Sequence, residues 1–262
     1  MTSIQGLEWT FDTAASTYAK MRPGYTDELY RDIFDFISID ETSNVVEVGI
    51  GGGQATLPIL QTGCQLTAVE YGEHFSEICR KKFKAFPKFS VVTGKFEEVD
   101  FENECCDLIF SASAFHWIPE EIGYPKVFSM LKRGGVFARF ANHPFEDKRR
   151  PELADEIQKL YQIYMPSSSR PVEYSEEMAK TRAEIALHYG FEDIEYRLYH
   201  RTRTFSAKEY VALLRTYSNH IALEKQRQTE FFSKIEQVIN ANGGEITLYD
   251  TMDLQLARKK LP

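Results

Sequence analysis

The stretch Asn44 to Gln54, Asn-Val-Val-Glu-Val-Gly-Ile-Gly-Gly-Gly-Gln, constrains the chain more than any other. Val45, Val46 and Val48 form an apolar run that reads as a buried strand, and the run stops in Gly49, Gly51, Gly52 and Gly53. Ala55 to Leu60 then read as a helix. A strand that passes through glycines into a helix brings backbone close to a ligand and aims N–H groups at it. Turns of this kind lie at the carboxyl edge of parallel sheets, where open α/β proteins bind nucleotide-like ligands.

The segments that follow alternate. Gln65-Leu-Thr-Ala-Val-Glu70 is a second short apolar strand ending in an acid. Glu70 falls about twenty residues past the first glycine, the spacing that puts a carboxylate on the tip of the neighbouring strand to accept both ribose hydroxyls of a nucleoside. Phe75 to Phe86 is helical in pattern, Phe89 to Thr93 is a third strand, and Asp107 to Ser111 a fourth. After the third strand, Phe96 and Glu97 are placed to flank an adenine ring and its amino group, although Phe96 equally suits a core position. Leu131-Lys-Arg-Gly134-Gly135 is a turn, and Val136 to Phe140 a fifth strand. Strands separated by helical patterns predict a mainly parallel sheet with helices on both faces, an α/β, doubly wound architecture.

The glycine turn lacks the dinucleotide fingerprint. The position that needs a small third residue for helix–strand packing under a pyrophosphate is Gln54 or Thr56, depending on which glycine starts the count. Glu47 precedes the first glycine by two residues, which favours a ligand with a positive or zwitterionic end over a pyrophosphate.

Bulk properties narrow the classes. The 262 residues, 43% hydrophobic, suit one large domain with a cover: 1–40 as N-terminal cover helices, 41–145 as a ligand-binding core, 146–262 as the rest of the sheet with inserted helices. No apolar run is long enough to span a bilayer, and the first residues lack a signal-peptide pattern. A net charge of -8 argues against a nucleic-acid partner. Cys64, Cys79, Cys105 and Cys106 show no metal-ligand spacing and read as reduced thiols of a cytoplasmic protein. No metal is expected, and the oligomeric state is not set by the sequence.

Near the N-terminus, Phe11 to Tyr25 has too few apolar residues for a core helix and reads as a cover over a site. Tyr18 and Arg22 lie one turn apart. Arg22 suits a bidentate grip on a carboxylate, or else simple stacking on a neighbouring tyrosine. Thr26 is placed to cap a helix whose Leu29, Ile33 and Ile37 share one face.

Together these motifs resemble the class I S-adenosylmethionine-dependent methyltransferases. Glu47-Val-Gly49-Ile-Gly51-Gly-Gly53 is similar to their first motif, Glu70 to the ribose-binding acid, and Leu131 to Gly135 to the turn before their fifth strand. More narrowly, Phe11-Asp-x-x-Ala-x-x-Tyr18-x-x-x-Arg22-Pro and Ala114-Phe-His116-Trp117 look like the small-molecule group that includes the trans-aconitate methyltransferases. The match spans roughly residues 9 to 142. It implies a Rossmann-like seven-stranded sheet whose last strand is antiparallel, S-adenosyl-L-methionine as cofactor, and a small-molecule acceptor. It also implies a cofactor-binding set of Arg22, Glu47, Gly49, Gly51, Gly53, Glu70, Tyr71, Phe96, Glu97 and Ser111. Two positions depart from the pattern: Lys95 stands where relatives carry an adenine-contacting aspartate, and Arg133 replaces a turn proline. A cofactor-binding regulator without transfer, or an enzyme acting on protein or RNA, are the rival readings.

In the C-terminal half, 152–165 is helical in pattern and 194–202 alternates as an edge strand. Ser206 caps a helix, 224–241 is another, and Ile246 to Leu256 alternate as a long final strand. The resemblance inserts that strand between the fifth and the sixth. The polar and aromatic run Arg215 to His220 either faces the substrate or closes a buried helix end. For catalysis, His116 is the general-base candidate, or a pocket-shaping histidine, while Trp117 would wall the sulfonium and Tyr18 would lie on the acceptor side. A base is needed only if the acceptor arrives protonated.

Overall fold

The computed structural model describes residues 22–260. Tyr18 and the cover segment before Arg22 lie outside the described residues. The chain runs α1 (Asp27–Phe36), β1 (Asn44–Val48), α2 (Thr56–Leu60), β2 (Gln65–Glu70), α3 (Glu73–Lys82), β3 (Phe89–Thr93) and β4 (Cys106–Ala112). A one-turn 3-10 helix (Phe115–Trp117) leads to α4 (Glu120–Met130) and the long β5 (Leu131–Glu146). Then come α5 (Pro151–Tyr164), α6 (Glu176–Glu184), β6 (Phe191–Ser206), α7 (Ala207–Leu214), α8 (Ser218–Ile221), α9 (Lys225–Ala241) and β7 (Glu245–Lys259).

The seven strands form one sheet in the order β3-β2-β1-β4-β5-β7-β6. The pairs from β3 to β5 are parallel, and β7 runs antiparallel to both β5 and β6. The doubly wound sheet with its last strand inserted antiparallel is therefore as the sequence implies. Side-chain alternation divides the core in two. Val45, Leu66, Leu108, Phe110, Val136 and Phe140 pack on one face with Leu29 and Ile33 of α1. Val46, Val48, Ile109 and Phe137 pack on the other with Tyr124 and Val127 of α4. A third cluster joins Leu153 and Ile157 of α5 to Leu213, Phe231 and Ile235 of the helices between β6 and β7. This cluster belongs to the segment that the sequence assigns to a cover.

Local signals explain most element ends. Ser206 and Glu209 form a reciprocal capping box at the start of α7. Pro151 sits in the first turn of α5, where its missing N–H costs nothing. Thr26 behaves differently from the sequence expectation. It precedes α1 in extended conformation, but its hydroxyl makes no cap bond and lies buried without a partner. Helix α3 ends at Lys82 rather than Phe86, because Phe83 turns inward onto Phe86 and Phe89. The edge position of β6 agrees with its charged sequence. Arg201 and Arg203 project from it onto Asp250 of β7, which is fully buried. Among the described residues no helix is long and apolar enough to cross a membrane.

Candidate active site

At the carboxyl edge of β1, Gly49, Gly51 and Gly53 adopt φ of 75°, 52° and 70°, the left-handed region that side chains avoid. A Cβ on Gly49 would stand 2.3 Å from the Ala114 Cβ, so this backbone passes against the loop after β4 with no room for a methyl group. Glu70, at the tip of β2, clasps the turn. One carboxylate oxygen accepts from the Gly51 N–H at 2.8 Å and the other from the Gly72 N–H at 2.9 Å. Charge-assisted bonds of this kind contribute about 1.5–3 kcal/mol each, so the turn and the acid hold one another in place.

A cleft of about 730 Å³ opens beside them. Its floor is Val48, Gly49, Gly51, Val69 and Glu70; Tyr71, Lys95, Phe96 and Glu97 form one end; Trp117 and Ile118 close a side. The opposite end is Arg22, Asn142, Arg203 and Tyr217. The Arg22 guanidinium lies 4.0 Å over the Tyr217 ring and donates to the Thr216 hydroxyl at 3.0 Å and the Thr216 carbonyl at 3.2 Å. Stacking on a tyrosine therefore does occur, on Tyr217 from the cover rather than on a sequence neighbour. Gln54 also faces the cleft, and its buried amide nitrogen has no hydrogen-bond partner among the described residues. An orphaned donor costs about 1–3 kcal/mol, which a ligand's acceptor oxygen would recover.

The sequence-derived set thus divides. Arg22, Gly49, Gly51, Glu70, Tyr71, Phe96, Glu97 and Trp117 line the cleft. Glu47, Gly53, Ser111 and His116 do not, and each has a physical reason. Glu47 points back under the turn, where one oxygen accepts from the Thr56 hydroxyl at 2.7 Å and the other is buried without a partner among the described residues. Burial pushes its carboxyl up to about 8; the Thr56 bond opposes this, while the Glu70 charge adds to it. Gly53 faces Phe83, whose ring lies 2.6 Å from where a Cβ would stand. The Ser111 hydroxyl donates to the Val48 carbonyl at 2.8 Å and ties β4 to β1.

His116 sits exposed on the 3-10 turn with its ring 5.1 Å from that of Trp117. Surrounding protein and then Arg182 and Arg139 hold its imidazole below the usual pKa. At about 4, the imidazole is neutral at pH 7.

Several cleft residues escape sequence reading. Ser113 lines the cleft and shares a 2.9 Å hydrogen bond with the Tyr25 hydroxyl. The signal that separates it from Ser111 is its left-handed backbone, φ 55°, which turns the chain off the β4 alternation. Asn142 and Pro144 enter because β5 runs on past the fifth-strand segment legible in the sequence. Arg203 enters only through the β6–β7 register and its salt bridge to Asp250. His143, between Asn142 and Pro144, points to the other face, where it stacks on Tyr174 at 3.7 Å and meets the buried Asp253 at 2.8 Å. Among the described residues no cluster of side chains could hold a metal ion.

Comparison with known proteins agrees with this geometry. A family described as a methyltransferase domain matches residues 46–139. An uncharacterized methyltransferase of Schizosaccharomyces pombe is 24% identical over 231 residues, covering 88% of this chain and 87% of the relative. Among solved structures, the YcgJ protein of Bacillus subtilis superposes with a TM-score of 0.57 at 15% identity, covering 90% of this chain and all of that one. Phosphoethanolamine N-methyltransferase 2 of Haemonchus contortus, in complex with S-adenosyl-L-methionine, gives 0.53 at 15% identity over 95% of this chain and 57% of its own. The structures carry the fold, while the methyltransferase domain matched over residues 46–139 and the methyltransferase relatives support an S-adenosylmethionine-dependent methyltransferase activity.

Proposed function

We propose that the cleft holds S-adenosyl-L-methionine along its floor and that the protein methylates a small-molecule acceptor presented from the cover. The observation that carries this reading is the polarity of the cleft. Glu70 stands at the nucleoside end, while the orphaned Gln54 amide and Arg22 supply donors suited to the amino-acid carboxylate. Tyr71, which is exposed, would stack on the adenine, with Glu97 at its amino edge, while the Phe96 ring is packed largely into the core at the cleft wall. Lys95 keeps its ammonium over Tyr71, 5.9 Å from the ring, and 3.7 Å from Glu98. It therefore leaves adenine recognition to Tyr71 and Glu97.

The bound cofactor supplies an electrophilic sulfonium methyl. What this chain contributes is alignment and exclusion of water, and alignment alone can correspond to effective molarities of roughly 10⁵ M or more. In this reading Trp117 walls the transfer site, and His116 positions Trp117 rather than removing a proton. Tyr18 is assigned to the acceptor side. An acceptor that is already a good nucleophile then needs no base from the protein. The acidic net charge of -8 supports a small molecule over a nucleic acid.

The test is calorimetry with S-adenosylmethionine and S-adenosylhomocysteine, followed by turnover over a metabolite panel. Saturable one-to-one binding with methyl transfer to at least one metabolite supports the proposal. Failure to bind either ligand refutes it, and tight binding without transfer to any acceptor favours a regulator.

A further inference from the structure

A second cavity of about 270 Å³ adjoins the cleft, and Pro144 and Tyr217 line both. It is built by the cover: α5 supplies Ile157 and Tyr161, the end of α7 Leu214, α8 His220, and the start of β7 Leu248. Small-molecule sites are typically concavities lined mostly by apolar side chains with a few placed polar groups, and this one has that make-up and borders the cofactor cleft at Pro144 and Tyr217. Resting on the methyltransferase reading above, we propose that this chamber receives the body of the acceptor, and that the acceptor is an uncharged, largely apolar molecule carrying one neutral hydrogen-bonding group.

The wall chemistry argues for that class. Most of the lining is aliphatic or aromatic, and the polar groups at its inner end are neutral. Tyr161 Oη lies 2.8 Å from His220 Nε2, and Asn219 Oδ1 lies 2.8 Å from His220 Nδ1. Because an amide oxygen can only accept, His220 carries its proton on Nδ1, and Nε2 accepts from the Tyr161 hydroxyl. The phenolic oxygen then retains acceptor capacity toward the chamber. His220 is 3% exposed, and burial, followed by Arg22, pushes its imidazole down to about 4, so it stays neutral at pH 7.

Charged side chains do reach the chamber, but each is engaged. Glu146 is held by Arg170 at 2.6 Å, Asp147 by Arg149 at 3.1 Å, and Arg150 donates to the carbonyls of Glu245 and Asn242. An ionic acceptor would therefore lose its hydration while Glu146 and Asp147 are already ion-paired and the Arg150 guanidinium is committed to two backbone carbonyls. A neutral one meets mostly apolar walls and finds a hydrogen-bonding partner in the Tyr161–His220 pair.

The experiment uses the full chain saturated with S-adenosylhomocysteine, and 2-naphthol as probe against 2-naphthoate as its charged counterpart, followed by calorimetry. The expected result is saturable 2-naphthol binding and at least about tenfold weaker 2-naphthoate binding. Ile157→Trp, which fills the chamber, should abolish 2-naphthol binding while S-adenosylhomocysteine affinity stays within about twofold. Tyr161→Phe removes only the hydroxyl and should weaken the probe by roughly three- to tenfold; it covers the case in which the tryptophan variant does not fold. Equal or tighter binding of 2-naphthoate, or 2-naphthol binding unaltered in both variants, overturns the proposal. Loss of S-adenosylhomocysteine binding in the unmodified chain would instead count against the cofactor assignment, and the probe titration without it then decides the chamber separately.

Discussion

Glu47 offers the sharpest physical test. It is 1% exposed, with one carboxyl oxygen on Thr56 and the other without a partner among the described residues. Burial first, and then the Glu70 charge, raises its pKa from 4.5 to about 8. Below pH ~4.5 the group is protonated in both folded and unfolded chains and adds no pH dependence. From there upward the unfolded chain ionises while the folded chain keeps its proton, so stability falls with pH, by about 1.4 kcal/mol per unit, until the folded group also ionises near 8. The full loss is on the order of 4–5 kcal/mol.

Glu47→Gln keeps the shape and the acceptor for Thr56 but cannot ionise. Relative to the unmodified chain it should be equally stable, within about 1 kcal/mol, at pH 5, and more stable by at least ~2 kcal/mol at pH 8. Urea denaturation followed by tryptophan fluorescence at the two pH values measures both differences. A variant destabilised by the same amount at pH 5 and pH 8 would show instead that Glu47 is ionised in the folded chain.

Gly49→Ala would place a methyl group 2.3 Å from the Ala114 Cβ at a φ of 75°, so S-adenosylhomocysteine binding should be lost in calorimetry; normal affinity would contradict the turn assignment. Glu70→Ala removes the acceptor for two backbone N–H groups and should lower stability by about 2–4 kcal/mol in denaturant titration as well as weaken cofactor binding. Asp253 is buried, but hydrogen bonds from His143 and Tyr174 and the nearby Arg182 outweigh burial and hold its carboxyl below 3.8. Its contribution is present above that pH and lost as pH falls through the lower folded value. Asp253→Asn should therefore cost a few kcal/mol at pH 7 and less at pH 3, read by thermal unfolding at both.

How legible the molecule was in its sequence depends on the range of the interaction. The first five strands and the glycine turn are written in short-range pattern, because apolar alternation and glycine position are local properties. The pairing of Glu70 with the turn follows from strand spacing, and the structure adds that its carboxylate already holds Gly51 and Gly72. Arg203 could not be found that way. It reaches the cleft only because β6 and β7 pair in one register around Asp250, a long-range fact with no local signature. Glu47, Gly53 and Ser111 show a different limit. They belong to the right segments, but a strand sends alternate side chains to opposite faces and a turn changes the count. Motif membership therefore does not give orientation. The second cavity was not legible either, since its walls come from elements more than fifty residues apart, such as Ile157 and Leu214.

The placement of β7 has a consequence for synthesis on the ribosome. Among the described residues, strand β6 pairs with β7 and with no other strand, and β7 is also what covers the open edge of β5. Residues 207–244 must therefore emerge before either edge can close. Until they do, two long strand edges stay unsatisfied and open to pairing with other chains. The core from β1 to β5 can assemble early, since its pairings involve strands already made. The second cavity is completed only when the chain turns back and slides its last described strand into the gap, because Ile246 and Leu248 of β7 line it.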